Sequence, residues 1–235
     1  MNLSRSIAFL LFAALACFAG QEKSVTIVLV GDSTVNDEGG WGTGFRSSFD
    51  SRVAVVNLAK NGRSSKSFRD EGLWPPALAA RPRYILIQFG HNDVPGKGPD
   101  RETAADTTYR ENLARYIAEA RAAGATPVLV TSIVRRNFTP DGKIAPDSLV
   151  PYVKAARQLA ADENVPLLDL YNLTLAQAER LGPAGCEELN AKDKEGKSDH
   201  THLGAKGRQT IGVMAAKELV KLEPALQQYL GAVAQ

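Results

Sequence analysis

Val25-Thr26-Ile27-Val28-Leu29-Val30 runs directly into Gly31-Asp32-Ser33-Thr34-Val35. An apolar, β-branched run without clean polar alternation reads as a strand covered on both faces, the condition of a strand inside a parallel sheet. Four more such runs follow, at Val53–Asn57, Tyr84–Phe89, Pro127–Ile133 and Val165–Leu170. Between the third and fourth, Tyr109, Leu113, Tyr116, Ile117 and Ala120 recur at helical spacing, and Gly124 closes the segment. Another helix is expected from about Pro151, with Val153, Ala156 and Leu159 inward. A last one follows Gly204 and turns Ile211, Met214, Ala215 and Leu222 inward. Strands alternating with helical crossovers predict an α/β fold: a three-layer α/β/α, doubly wound domain on a five-stranded parallel sheet. Such sheets bind ligands beyond the carboxyl ends of their strands.

The 235-residue chain has 44% hydrophobic and 23% charged residues and a formal net charge of +2. That is an ordinary globular composition, long enough to bury a core without disulfides or metals. The charges are scattered, so the steering field of a nucleic-acid-binding domain is missing. Arg5 and Ser6 precede an apolar run from Ile7 to Phe18 that ends in small residues, the layout of an export signal over residues 1–20. The run is too short to span a bilayer. Cys17 follows Leu15 and Ala16, but the leucine stands one place from where a lipid-anchored cysteine would need it. The expectation is one domain over residues 21–235, secreted or periplasmic and monomeric. Sequons at Asn137 and Asn172 matter only in a eukaryotic host.

Four polar clusters fall at or after strand ends or ahead of the last helix. Gly31 to Val35 sits where a turn into a helix would lift the Ser33 hydroxyl above the sheet and aim backbone N–H groups at a carbonyl oxygen. Alone, this cluster is better explained by Asp32 or Ser33 capping a helix. Asn57 to Ser65 contains Gly62, where a bare backbone N–H can approach a ligand, although a surface turn explains it almost as well. Gln88 to Asp93 offers the Asn92 side-chain amide as a donor, or simply a turn. Ser198-Asp199-His200-Thr201-His202-Leu203 holds two of the three histidines. An aspartate three residues before a histidine on a tight loop can hold one imidazole nitrogen while the other activates a hydroxyl. The alternative is that Asp199 caps the last helix and the histidines only pack.

Together the clusters supply a nucleophile, a base with its orienting acid, and donors from separate loops, the requirements for acyl transfer to water. In order and spacing they resemble the four blocks of the SGNH hydrolases, the superfamily also named for its GDSL-type nucleophile motif. The run from Asn57 to Phe68, then Glu71 and Gly72, then Phe89 to Asp93 and Ser198 to His202, resembles more narrowly the rhamnogalacturonan acetylesterase family. The resemblance implies a flavodoxin-like SGNH fold. It implies Ser33 as nucleophile, Asp199 and His202 as acid and base, and an oxyanion hole of the Ser33 N–H, Gly62 and Asn92, with His200 only a neighbour. Asn61 departs from the small residue the family carries before its glycine. The implied activity is hydrolysis of acetyl esters on an acetylated polysaccharide, with no cofactor and no metal.

For the substrate, Arg63, Lys66 and Arg69 give the second loop a cationic character that suits an anionic sugar chain, though solvated surface charge accounts for them better. Trp41 reads equally as a sugar-stacking platform or a core residue. Competing functions are a broader exported esterase or lysophospholipase-like hydrolase, and a catalytically silent carbohydrate-binding protein. A metalloenzyme using His91, His200, Asp199 and Asp93 lacks recognisable ligand spacing. Gly39 to Gly44 has neither a phosphate-loop lysine nor dinucleotide glycine spacing.

Overall fold

The computed structural model describes residues 25–234, and the export signal expected over residues 1–20, with Cys17, lies outside them. The five expected strands form one sheet: β1 (Val25–Gly31), β2 (Val53–Asn57), β3 (Tyr84–Gln88), β4 (Thr126–Val130) and β5 (Leu167–Leu168). All neighbours pair in parallel, in the order β2-β1-β3-β4-β5, which is the flavodoxin-like doubly wound arrangement. Alternate β1 residues serve opposite cores. Val28 and Val30 face one with Ile85, Ile87 and Leu129, and Ile27 and Leu29 face the other with Leu86, Val128 and Val130. Burial on both faces is why these runs lack polar alternation.

Helices α1 (Gly42–Arg46), α2 (Ser67–Asp70), α3 (Pro75–Ala79), α4 (Arg110–Ala122), α5 (Val150–Asp162), α6 (Leu170–Glu187) and α7 (Ala205–Leu222) complete the layers. The expected inward residues of α4 and α5, among them Leu113, Tyr116, Ile117, Val153 and Leu159, join the first core. Ile211, Ala215 and Leu219 of α7 join the second. A Cβ at Gly44 would strike the backbone of Arg208 and Gln209, and one at Gly212 would strike the backbone of Gly44 and Phe45. Only glycine lets α1 lie this close to α7, and this contact sets the C-terminal helix beside the segment that follows β1.

Several sequence expectations need correction, among them Leu222, which lies at the end of α7 and is exposed, not turned inward. The turn after β1 does not pass directly into a helix, because α1 begins only at Gly42. The strand expected over Val165–Leu170 pairs only at Leu167–Leu168, since Asp169 caps α6 by accepting from the Asn172 N–H. Helix α6 was not anticipated; Gly182 (φ 64°) and Pro183 interrupt it.

The largest difference lies at Ser198 to His202. This segment belongs to strand β7 (Ser198–Leu203), paired antiparallel with β6 (Asn190–Lys192) in a hairpin, not to a simple tight loop. The register jumps from Ala191↔Asp199 to Asn190↔Leu203, so His200, Thr201 and His202 form a bulge. A bulge re-aims side chains from an otherwise regular strand. The alternative in which Asp199 caps α7 is excluded, because the α7 N-cap is Gly204 with no side-chain cap.

Candidate active site

Chain direction alone puts the carboxyl ends of β1, β2 and β3 on one edge, and the polar clusters follow them there. The turn after β1 is held from below by a buried relay. Trp41 Nε1 donates to Gln88 Oε1 (2.9 Å), Gln88 Nε2 donates to Thr34 Oγ1 (2.7 Å), and Thr34 donates its hydroxyl and N–H to Asp32 Oδ1 (2.7 and 2.8 Å). Trp41 is fully buried, so it is a core anchor of this turn and not a sugar platform. Burial raises the Asp32 carboxyl above its usual range against the Thr34 hydrogen bonds. Ser33, between Asp32 and Thr34, is left half-buried at the surface of the turn.

The bulge of β7 faces it. His202 Nε2 lies 2.8 Å from Ser33 Oγ, and His202 Nδ1 lies 2.6 Å from Asp199 Oδ2. Asp199 Oδ1 accepts the N–H groups of Thr201 and His202 at 2.8 and 3.0 Å. Burial by itself would raise the Asp199 carboxyl, but the His202 and Thr201 hydrogen bonds outweigh it and hold the pKa at about 2. The aspartate is therefore ionised at neutral pH and fixes the imidazole with a proton on Nδ1, leaving Nε2 to accept from the serine. Leu203 N–H donates to Gly39 O (2.8 Å), tying the hairpin to the loop that carries Ser33. His200 points elsewhere: its Nδ1 meets Asn137 Oδ1 at 2.9 Å and its Nε2 meets Glu187 Oε1 at 3.5 Å.

One supporting residue was not visible in the sequence. Arg136, buried and without a carboxylate partner among the described residues, donates its backbone N–H to His200 O (2.8 Å), Nη2 to His202 O (2.7 Å) and Nε to Asn190 Oδ1 (2.5 Å). It thus satisfies the carbonyls that the bulge exposes. No local pattern marks it, because its partners lie more than fifty residues away.

The other two loops close around the serine. Lys60 N–H donates to Gly31 O (3.0 Å) and continues the β2–β1 pairing, so the next residues are delivered to the serine turn. Asn61 accepts from Asn36 Nδ2 (2.6 Å) and donates to Glu38 Oε2 (2.9 Å), clamping the two loops together. Its departure from a small residue therefore has a structural role. Gly62 has φ +75°, a left-handed conformation that favours glycine. The Ser33 and Gly62 N–H groups have no acceptor within the described residues. Asn92 Nδ2 donates to Arg63 O at 3.2 Å, which binds the second and third loops to one another.

Buried hydroxyls hold this assembly from the α4 and α5 side. Tyr109 and Ser132 donate to Phe89 O, Tyr116 to Ser65 O, and Tyr152 to Asp93 O and Thr103 O. Asp93 accepts from the Ser65 hydroxyl (2.5 Å), the Ser65 N–H (3.1 Å) and the Thr103 hydroxyl (3.0 Å). Burial pushes its carboxyl up to about 7 against these bonds. His91 is buried, neither ring nitrogen has a hydrogen-bond partner of good geometry among the described residues, and burial keeps its pKa well below the usual imidazole range. His91 and His200 thus do not meet as the metalloenzyme alternative required, and no metal-ligating cluster occurs among the described residues.

The loop charges are largely engaged within the protein. Arg63 pairs with Glu71, Arg69 pairs with Glu119 and lies over the Tyr116 ring, and Lys66 Nζ donates to Pro99 O. A cationic second loop waiting for an anionic chain is not what these three residues form.

Residues 26–210 match the GDSL-like Lipase/Acylhydrolase family. The chain is 34% identical to rhamnogalacturonan acetylesterase RhgT of Bacillus subtilis, over 89% of this chain and 95% of RhgT. It is 35% identical to YesY of the same organism, named a probable rhamnogalacturonan acetylesterase, over 83% of this chain and 93% of YesY. Among solved structures, the Bacillus subtilis protein YXIM superposes with a TM-score of 0.73 at 25% identity, over 86% of this chain but only 58% of that one. A catalytic mutant of Axe2, an acetylxylan esterase from Geobacillus stearothermophilus, superposes with a TM-score of 0.63 at 15% identity, over 85% and 94%. That likeness shows the fold. With this family match and these relatives beside the four converging loops, the chain belongs to the GDSL-like lipase/acylhydrolase family, the SGNH hydrolases, and is an esterase.

Proposed function

We propose that the protein is a secreted or periplasmic carbohydrate esterase that removes acetyl groups from rhamnogalacturonan by a Ser-His-Asp mechanism. The observation that carries the mechanism is the pair of contacts at His202, 2.8 Å to Ser33 Oγ and 2.6 Å to Asp199. His202 Nε2 takes the Ser33 proton as Oγ bonds to the acetyl carbonyl carbon. The carbonyl oxygen becomes an oxyanion facing the Ser33 N–H, the Gly62 N–H and the Asn92 amide. As the tetrahedral intermediate collapses, the ester C–O bond breaks and His202 returns the proton to the departing sugar oxygen. Water, deprotonated by His202, then attacks the acetyl-serine, and acetate leaves as Ser33 regains its proton. Each oxyanion donor is worth about 3 kcal/mol, because it binds charge that exists only in the transition state.

The pectic substrate is supported by the relatives RhgT and YesY, and export by the composition of residues 1–20. A long acyl chain needs an apolar groove, whereas the exposed large hydrophobic side chains among the described residues, Val150, Leu222 and Val233, lie outside the four site loops. Acetate release from acetylated rhamnogalacturonan and acetylated xylan, beside fatty-acid release from a lysophospholipid, tests the reading. Fastest release from the pectic polymer is the expected result, and equal release from xylan removes the preference.

A further inference from the structure

Gly62 has one neighbour where a side chain would begin. Among the described residues, its two chain neighbours aside, the only heavy atom within 4 Å of a Cβ built on it is Arg101 Nη1, at 3.8 Å. Arg101 lies in the segment after β3, eight residues beyond the Gln88 to Asp93 block and 39 residues from Gly62, yet its guanidinium sits beside the glycine that supplies an oxyanion N–H in the proposed mechanism. Its position is built. Lys66 Nζ donates to Pro99 O, Glu102 accepts the Gly98 N–H, the Arg101 N–H donates to Gly98 O, and the Thr103 hydroxyl is held by Asp93.

Arg101 also differs from its cationic neighbours in what it lacks. Arg63 has Glu71, Arg69 has Glu119 and Arg135 has Asp147, whereas no carboxylate lies within ion-pair distance of Arg101 among the described residues. Arg101 Nε donates to Lys97 O at 2.8 Å, and neither terminal nitrogen has an acceptor within the described residues. Asp100, beside it in the chain, is exposed and has no ion pair among the described residues, and Glu102 is turned to the Gly98 N–H. A half-buried guanidinium that keeps its planar, two-nitrogen end free is shaped for a carboxylate.

We propose that Arg101 binds the carboxylate of a uronic-acid residue at or next to the sugar whose acetyl group is removed, and so sets the preference for anionic polysaccharide. This inference rests on the proposed activity toward pectic acetyl esters and adds the residue that reads their charge. Neutral acetylated sugars reach the same serine but leave Arg101 without a partner.

The test compares acetylated rhamnogalacturonan oligosaccharides carrying free carboxylates with the same oligosaccharides methyl-esterified at those carboxyls. It uses the wild-type protein, Arg101→Gln and Arg101→Lys, with circular dichroism to confirm folding. The wild type should favour the free acid, and added salt should erode that preference. In Arg101→Gln the ratio of kcat/KM between the two substrates should fall about tenfold, chiefly through KM, and Arg101→Lys should restore part of it. An unchanged ratio in Arg101→Gln overturns the inference, and so does an equal loss on both substrates, which would make Arg101 a support for Gly62. Both results leave the substrate reading intact if the wild type still prefers pectic esters. A wild-type protein that spares acetylated rhamnogalacturonan and deacetylates xylan removes both claims.

Discussion

Arg136 Nη2 donates to the carbonyl oxygen of His202 at 2.7 Å, so the imidazole facing Ser33 is held through its own backbone by a buried cation. Burial lowers the Arg136 pKa to about 10, which still leaves it protonated at neutral pH. Arg136→Gln removes this bond and the one to Asn190, exposing buried acceptors at a cost of about 2 kcal/mol in stability. The bulge should then loosen, with kcat for an acetyl ester falling about tenfold while KM changes little. Arg136→Lys should recover part of kcat. A variant that lowers the melting temperature and leaves kcat at the wild-type value would show that Arg136 supports the fold only.

The two histidines of the hairpin separate by geometry. His202→Ala should lower turnover of p-nitrophenyl acetate about a thousandfold or more, as expected when one member of a cooperating set is lost. His200→Ala gives up contacts to Asn137 and Glu187 and should stay within about threefold of wild type. Comparable losses in the two variants would contradict the assignment.

Asn92→Ala removes a candidate oxyanion donor and should reduce kcat about a hundredfold. Among the described residues the added methyl of Gly62→Ala meets only Arg101 Nη1, at 3.8 Å, so its cost is mainly the strain of placing a side chain at φ +75°. That is about 1 kcal/mol, read as a lowered urea midpoint. Full esterase activity in Asn92→Ala would remove it from the oxyanion hole.

Asp93 and Asp199 should act on stability in opposite pH windows. The Asp93 carboxyl sits at about 7 in the fold against 3.8 as its ordinary value, so the folded state holds its proton longer. Its contribution is fully present below about pH 4 and is lost as pH rises through 7. Asp199, held at about 2, contributes above its ordinary 3.8 and loses that contribution as pH falls through 2. Melting temperatures of wild type and Asp93→Asn from pH 4 to 8 read the first window. Asp93→Asn should decline less over that range, and parallel curves would refute the assignment.

The sheet was legible because burial on both faces leaves a local trace: Val25–Val30 and Tyr84–Phe89 are apolar without alternation, and the structure pairs them in the middle of the sheet. The candidate site was legible as four polar blocks, from which the family resemblance picks Ser33, Gly62, Asn92, Asp199 and His202; of these the structure joins Ser33, His202 and Asp199 by direct contact. The hairpin was not. Ser198 to His202 is polar throughout, and it becomes a strand only by pairing with β6, a partner with no apolar signature of its own. Arg101 and Arg136 were hidden for a related reason. What distinguishes them is the partners they have or lack in space, whereas Arg63 and Arg69 looked more promising in sequence and prove to be paired.

The central claim is that the Ser33 hydroxyl is the attacking group. Ser33→Ala changes one half-buried oxygen and leaves the Trp41–Gln88–Thr34–Asp32 relay intact, so the protein should melt as wild type does. Its acetate release from acetylated rhamnogalacturonan should fall about a thousandfold or more. Release at the wild-type rate by the folded variant would contradict the account.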